Sequence, residues 1–166
     1  TAISMGPLQA KRALYEAMSM GVDEAVLLCD SSFAGSDTWA TSQVLAHAIS
    51  YLGDFDVVFC GRQAIDGDTA QVGPQLAEQL DIAQITYVQK IRELDERRIM
   101  VERALEDGFE LVQTKLPVLL TVVKELNEPR FPSVQGIVKA FEKSIKILEA
   151  KDIGINLELA GIKGSP

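Results

Sequence analysis

The segment DVVFCGRQAIDGDTAQVGPQLAEQL, residues 56–80, joins a short apolar run to an amphipathic one through a loop of small and polar residues. The run VVFC is typical of a strand that is covered on both faces. Pro74 is tolerated only in the first turn of a helix, so the helix that follows should begin between residues 70 and 73. The loop therefore leads from the end of a strand into the N-terminus of a helix.

The same alternation continues toward the N-terminus. TAISM (1–5) and AVLLC (25–29) read as strands, while residues 10–18 and 44–52 place apolar side chains at helical spacing. Alternating strands and helices predict an α/β fold with a parallel sheet and flanking helices. Ligands of such folds bind outside the carboxyl ends of the strands, which is where the loop lies.

After residue 84 the pattern changes to strands without helices between them. We expect two or three antiparallel strands, and then a buried strand at 118–123 that returns to the main sheet. Two prolines make residues 125–133 irregular, and a short helix should cover about 132–143. Residues 146–166 show no clear period, and we expect them to be extended.

Composition excludes several classes of function. A formal net charge of −8 argues against nonspecific nucleic-acid or anionic-membrane binding, and no apolar run is long enough to span a bilayer. One histidine supports neither a metal site nor a Ser-His-Asp arrangement, so we assign no catalytic residue and no metal. The two isolated cysteines favour a reducing compartment, either the bacterial cytoplasm or an organelle matrix.

The loop at 61–73 is the strongest candidate for a ligand site. Gly67 permits a tight turn, and the free amides of the following helical turn can bind an anion. Asp66 and Asp68 either accept hydrogen bonds from ribose hydroxyls or cap the helix, and Thr69 and Gln71 can add hydrogen bonds. The same residues also fit an ordinary turn and N-cap, since they form neither a P-loop nor a GxGxxG motif.

Two further residues end neighbouring strands. Asp30 either faces the same crevice or caps a turn. Cys60 either touches a ligand or is a small buried apolar side chain.

Four segments together resemble the β subunit of electron transfer flavoproteins over residues 1–145. They are MGPLQAKRALYEAMSMGVDEAVLLCD, FAGSDTWATSQVLAHAI, CGRQAIDGDTAQVGPQLAEQL and LPVLLTVVKELNEPRFPSVQGIVKA. The resemblance implies a Rossmann-like domain of the adenine nucleotide alpha hydrolase type, paired with an α subunit that carries FAD. The β subunit of such proteins holds either a structural AMP or a second FAD that accepts a hydride from NADH.

The resemblance also assigns the nucleotide site. The form DGDTAQVGP favours FAD, with AMP as the alternative, and Ala64 would approach the adenine through its backbone. The other residues that it places at the nucleotide are Asp30, Cys60, Gly61, Asp66, Gly67, Asp68, Thr69, Ala70, Gln71, Val72 and Gly73.

A second segment, NEPRFPSVQGIVKA (127–140), resembles the loop through which the family recognises dehydrogenases of the acyl-CoA dehydrogenase type. Val134 is at the position of the apolar anchor, where leucine is common. Arg130 lies either near the flavin or in the subunit contact, and Pro132 and Ile137 complete the recognition set.

These assignments lead to two functional hypotheses. The chain passes electrons between NADH or acyl-CoA dehydrogenases and other acceptors, with flavin-dependent NADH oxidation and electron bifurcation if it binds FAD. Alternatively, it is a structural AMP-binding scaffold that docks a dehydrogenase. We expect residues 1–145 to form a nucleotide-binding domain that lacks the family's first segment, and 146–166 to be part of an arm that packs on the partner subunit.

Overall fold

The structure, a computed structural model, describes all 166 residues. The strands are β1 (Ala2–Met5), β2 (Ala25–Leu28), β3 (Val57–Gly61), β4 (Ala83–Leu94), β5 (Arg98–Leu105), β6 (Gly108–Lys115), β7 (Val118–Val122) and β8 (Lys146–Leu148). The helices are α1 (Lys11–Ser19), α2 (Thr38–Leu52), α3 (Val72–Gln79), α4 (Val134–Glu142), α5 (Ala150–Ile153) and α6 (Gly161–Gly164). The predicted α/β class is confirmed.

The chain forms two compact units, each with its own sheet. Unit 1 contains Thr1–Tyr51 and Pro129–Pro166, and unit 2 contains Leu52–Glu128. The parallel strands are therefore divided between two sheets, where the sequence led us to expect one.

Unit 1 has a three-stranded parallel sheet in the order β1-β2-β8. Its central strand β2 is fully buried, because alternate residues face two different apolar clusters. Val26 and Leu28 pack in one cluster, with residues of α2 and of the C-terminal segment. Ala25 and Leu27 pack in the other, with residues of α1 and α4. Burial on both faces explains why the sequence of β2 is continuously apolar.

Unit 2 has a five-stranded mixed sheet in the order β3-β7-β4-β5-β6. β7 pairs in parallel with β3 and β4, as a strand that returns to the sheet should. β4, β5 and β6 form an antiparallel meander, so of the two or three antiparallel strands predicted, three are present. β4 contains a β-bulge between Ile85 and Val88, where its pairing with β7 shifts register.

The C-terminal segment is folded, and the expectation of an extended conformation for residues 146–166 is wrong. It contributes β8, α5, a 3-10 turn and α6, and Leu148, Ile153 and Ile155 are buried in the core of unit 1. Elements of three or four residues are too short to produce a periodic pattern, which is why the sequence showed none. Packing of this segment on a partner subunit stays a prediction.

None of the helices combines the length and the apolar character that crossing a bilayer requires.

Candidate functional site

The loop of unit 2 connects β3, which ends at Gly61, to α3, which begins at Val72, as predicted. Residues 64–69 are exposed to solvent. The loop contains one tight turn, in which the Asp68 amide donates to the Ala64 carbonyl at 3.0 Å. The Asp66 carboxylate accepts from the Gly67 amide at 2.9 Å, and the Gln63 side-chain amide donates to the Asp68 carboxylate. Both aspartates therefore have partners within the loop.

The backbone of the loop is left-handed at two residues that follow Gly67 and not at Gly67 itself. Asp68 has φ +49° and Ala70 has φ +53°, whereas Gly67 does not have a positive φ. A Cβ added at Gly67 would have no atom within 4 Å. The left-handed conformation costs an ordinary residue about 1–2 kcal/mol, and aspartate adopts it more readily than alanine, so Ala70 has the more strained backbone of the two.

The backbone amides of the loop are only partly used by the protein. Those of Arg62, Gly67 and Asp68 donate to protein acceptors. The amides that donate to no protein acceptor include those of Thr69, Ala70, Val72 and Gly73. Because the last two open α3, they also lie at the positive end of the helix dipole. The end of the loop can thus donate several hydrogen bonds to an anion.

Gly73 has a packing reason for being glycine. It is buried, and a Cβ there would lie 2.5 Å from Cγ2 of Thr121 on β7. The missing side chain therefore lets the first turn of α3 lie close to the sheet.

Cys60 is partly buried at the end of β3. Burial raises the pKa of its thiol, because the charged thiolate is poorly solvated there. The side chain is therefore a neutral thiol at physiological pH. Contact with a ligand stays a prediction.

Asp30 lies in unit 1, directly after β2, and both of its carboxylate oxygens are occupied. Oδ1 accepts from the Ser32 amide at 2.9 Å, and Oδ2 accepts from the Ala150 amide at 3.0 Å. These backbone hydrogen bonds lower the pKa of Asp30. Of the two roles open from the sequence, the structure shows the capping role, and a contact with nucleotide stays a prediction.

Unit 1 also has a cavity of about 500 Å³ at the carboxyl ends of β1 and β2. Met5, Gly6, Leu28 and Asp30 are among the residues that line it. This is the position at which α/β sheets bind ligands.

The predicted recognition segment, residues 127–140, lies in unit 1 from Pro129 onward and exposes large apolar side chains there. Val134 is 79% exposed and Ile137 is 41% exposed. Ser133 caps α4 by accepting from the Gly136 amide at 3.0 Å, and Pro132 is exposed. The predicted apolar anchor is thus presented at the start of a capped helix.

α4 rests on α1 through a close contact and an aromatic stack. A Cβ at Gly136 would lie 2.5 Å from the Ser19 carbonyl oxygen, and the rings of Tyr15 and Phe141 stack at 4.9 Å. Arg130 lies beside Gly21 and lines a cavity of about 440 Å³ between the end of α1 and α4.

Three residues that the sequence analysis did not select stand out. Phe131 is 94% exposed beside the predicted anchor. Arg62 of the loop lies against the ring of Tyr87 on β4. Phe131 and Arg62 could have been selected from their positions in the two segments. Tyr87 had no sequence signal, because its environment depends on a bulge created by distant strand pairing.

The structure brings together no group of three or more His, Cys, Asp or Glu residues that could hold a metal ion.

The fold is that of an α/β protein, and its strand–loop–helix segment leaves backbone amides open at the start of a helix, which is the arrangement that anion sites of nucleotide-binding proteins use. A family model described as "Electron transfer flavoprotein domain" matches residues 1–153. The chain belongs to this family.

Similar proteins include the electron transfer flavoprotein subunit beta of Thermoanaerobacterium thermosaccharolyticum, which is 59% identical over 167 residues, covering 100% of this chain and 64% of the relative. The caffeyl-CoA reductase-Etf complex subunit CarD of Acetobacterium woodii is 49% identical, covering 99% of this chain and 62% of the relative. Protein FixA of Azorhizobium caulinodans is 44% identical, covering 100% of this chain and 62% of the relative. The chain thus spans somewhat less than two thirds of the length of these relatives.

Proposed function

We propose that this chain acts in a β subunit of an electron transfer flavoprotein. It binds an adenine nucleotide and, with an α subunit that carries FAD, passes electrons between NADH or acyl-CoA dehydrogenases and other acceptors. The observation that carries this proposal is the match of the electron transfer flavoprotein domain to residues 1–153. The names of the similar proteins support it, since they include an electron transfer flavoprotein subunit beta and a subunit of a caffeyl-CoA reductase-Etf complex.

The proposed nucleotide site is the loop at 61–73, and the preferred nucleotide is FAD. The open amides of Thr69, Ala70, Val72 and Gly73 would donate to phosphate oxygens. Exposed side chains of the loop would contact the ribose, and the backbone of Ala64 would approach the adenine. A bound flavin would supply the redox chemistry, and these residues would hold and orient it.

The experiment is to co-purify the full-length protein with its α subunit and to identify the nucleotides released on denaturation. Two flavins per heterodimer, with an absorbance that NADH bleaches, would support the FAD proposal and flavin-dependent NADH oxidation. One flavin and one AMP would support the scaffold alternative below. A heterodimer that releases no nucleotide beyond the FAD of its α subunit would contradict both.

The recognition segment is the proposed docking site for a dehydrogenase of the acyl-CoA dehydrogenase type. Val134 would fill an apolar pocket on the partner, as buried anchors at interfaces do, with Arg130, Pro132 and Ile137 around it. Phe131 is more exposed than Val134, and we add it to the proposed anchor.

Charged substitutions test the docking proposal. Val134→Asp and Phe131→Asp should each slow electron transfer from a reduced acyl-CoA dehydrogenase at least tenfold, because an aspartate cannot enter an apolar pocket without losing its hydration. Leu111→Asp is the control, since Leu111 is 60% exposed on β6 of unit 2. Equal rates for all three variants and the wild type would contradict the docking site. Nucleotide content should be unchanged throughout.

The alternative function is a structural AMP-binding scaffold that docks a dehydrogenase. The observation that favours it is chemical: the loop offers backbone amides, hydroxyl and carboxylate groups, which can hold a nucleotide but carry no redox chemistry of their own. A colourless β subunit that releases AMP would support it.

The proposed location is a reducing compartment, either the bacterial cytoplasm or an organelle matrix. Both cysteines are free thiols, and the relatives named above come from bacteria.

A further inference from the structure

Arg62 is a cationic residue of the loop, and its side chain forms no ion pair with a carboxylate of the protein. It directly follows β3, and its amide donates to the Val122 carbonyl at 3.0 Å, which ties its backbone to the carboxyl end of β7. Its guanidinium forms no ion pair with the protein, whereas Arg92, Arg98 and Arg103 of the same unit each pair with a carboxylate. In a chain with a net charge of −8, an unpaired guanidinium at a strand end is available to an external anion.

The ring of Tyr87 holds this guanidinium in place. The guanidinium carbon lies 5.9 Å from the ring centroid, within the range of a cation–π interaction. Such a contact reduces the number of conformations that a long side chain explores, so less entropy is lost when the guanidinium binds a ligand.

Tyr87 itself is fixed by a buried residue of β7. It has φ +58°, which is uncommon for a bulky side chain, and its amide donates to Oγ1 of Thr121 at 3.1 Å. Thr121 is 2% exposed, and its methyl group fills the space above Gly73. One buried side chain thus supports both the residue that holds Arg62 and the first turn of α3, where the loop amides are open.

We propose that Arg62 is a specificity-determining residue of the nucleotide site. Its guanidinium, held by Tyr87, donates a pair of hydrogen bonds to a phosphate group of the nucleotide, in addition to the hydrogen bonds from the backbone amides of Thr69, Ala70, Val72 and Gly73. This inference rests on the proposed function, because it requires that the loop binds a nucleotide. The ligand class is a nucleotide phosphate, and Arg62 makes the site prefer nucleotides over nucleosides.

The experiment compares AMP with adenosine, which lacks the phosphate. Both are titrated calorimetrically into the full-length protein after bound nucleotide has been removed. Arg62→Gln should weaken AMP binding roughly 10- to 100-fold and leave adenosine binding within about twofold, because only the phosphate loses a charge-assisted hydrogen-bond pair. The affinity that remains for AMP should depend less on salt than that of the wild type.

Arg97→Gln is the matched control. Arg97 is also exposed and without an ion pair, but it lies in the turn between β4 and β5. This variant should bind AMP and adenosine as the wild type does.

Tyr87→Gly distinguishes an effect on nucleotide binding from an effect on the stability of the fold. Glycine accepts the left-handed backbone without strain but removes the ring, so AMP affinity should fall severalfold while the thermal midpoint changes by only a few degrees. Tyr87→Phe keeps the ring and should bind AMP normally.

The possible outcomes distinguish this inference from the proposed function. If the wild type binds neither AMP nor FAD, the proposed function fails. If the wild type binds AMP and Arg62→Gln binds it equally tightly, or loses adenosine affinity to the same extent, the nucleotide site stands and the role of Arg62 is refuted.

Discussion

Replacing Gly73 with alanine tests the packing that sets the start of α3. The new Cβ would lie 2.5 Å from Cγ2 of Thr121, whereas two carbon atoms in contact are about 3.5–4.0 Å apart. The next nearest atoms, on Leu119 and Cys60, would lie at the ordinary distances of 3.6 and 3.7 Å. The clash therefore involves one methyl group. Thr121 cannot rotate away freely, because its hydroxyl accepts the Tyr87 amide.

The expected size of the effect is the difference between two opposing terms. Overpacking of a core typically destabilises by about 1–3 kcal/mol, and replacing glycine with alanine in a helix regains up to about 1 kcal/mol. We therefore expect Gly73→Ala to lower the free energy of unfolding by about 1–2 kcal/mol. For a chain of this size that corresponds to a decrease in Tm of roughly 2–8 °C.

A double-mutant cycle identifies the methyl group as the cause. Thr121→Ser removes Cγ2 but keeps the hydroxyl that accepts from the Tyr87 amide. Alone, it should lower the free energy of unfolding by about 1 kcal/mol, because a buried methyl group is lost. In the double variant the alanine methyl occupies the vacated space. The double variant should thus lose about 1–2 kcal/mol less free energy of unfolding than the sum of the losses in the two single variants.

The assay is urea unfolding followed by circular dichroism, with calorimetry to check whether the two units unfold together. Gly67→Ala is the control, since a Cβ there meets no atom within 4 Å, and it should change stability by less than about 0.5 kcal/mol. Wild-type stability for Gly73→Ala, or strict additivity in the cycle, would refute the packing argument.

The remaining predictions concern single side chains. Asp30→Asn should destabilise the protein by about 1–2 kcal/mol near neutral pH, because the charged carboxylate accepts two backbone amides. Since these bonds lower the folded-state pKa of Asp30, its contribution is present above the unfolded pKa of about 3.9 and is lost as pH falls through the folded pKa, so urea melts of the two proteins should converge in acid. Gly161→Ala should expose the C-terminal segment to limited proteolysis, because its φ is +62° and its Cβ would lie 2.2 Å from the Ser32 carbonyl oxygen. Gly154→Ala, at φ +66° with open space, should cost only about 1 kcal/mol and resist the protease. The thiol of Cys60 should react slowly with iodoacetamide at pH 7.5 and much faster in urea, because burial raises its pKa in the folded protein; equal rates would contradict its burial.

Local signals in the sequence were sufficient for the elements around the loop. Pro74 limits where α3 can begin, and the continuous apolar run of β2 identifies a covered strand. The similar run of β3 is misleading: it predicted a strand covered on both faces, but β3 is the edge strand of its sheet and Phe59 is 54% exposed. The open amides of Val72 and Gly73 follow from that start of α3, because every helix leaves its first amides without intrahelical partners.

Features that depend on distant pairing could not be predicted. The bulge that places Tyr87 under Arg62 results from the register of β4 on β7, and the need for glycine at position 73 results from the methyl of Thr121. The capping role of Asp30 became clear only because the amide of Ala150, 120 positions away, donates to it.

The discontinuity of unit 1 has a consequence for synthesis on the ribosome. The central strand β2 needs β8 as its second neighbour, so its hydrogen bonding is completed only after residues 146–148 have been translated, about 120 positions later. Unit 2 is continuous and can fold while the last part of the chain is still being made. A nascent chain whose residues 1–128 have left the ribosome would contain a finished meander and a β2 with one open edge, and an open strand edge makes that stage of translation prone to aggregation.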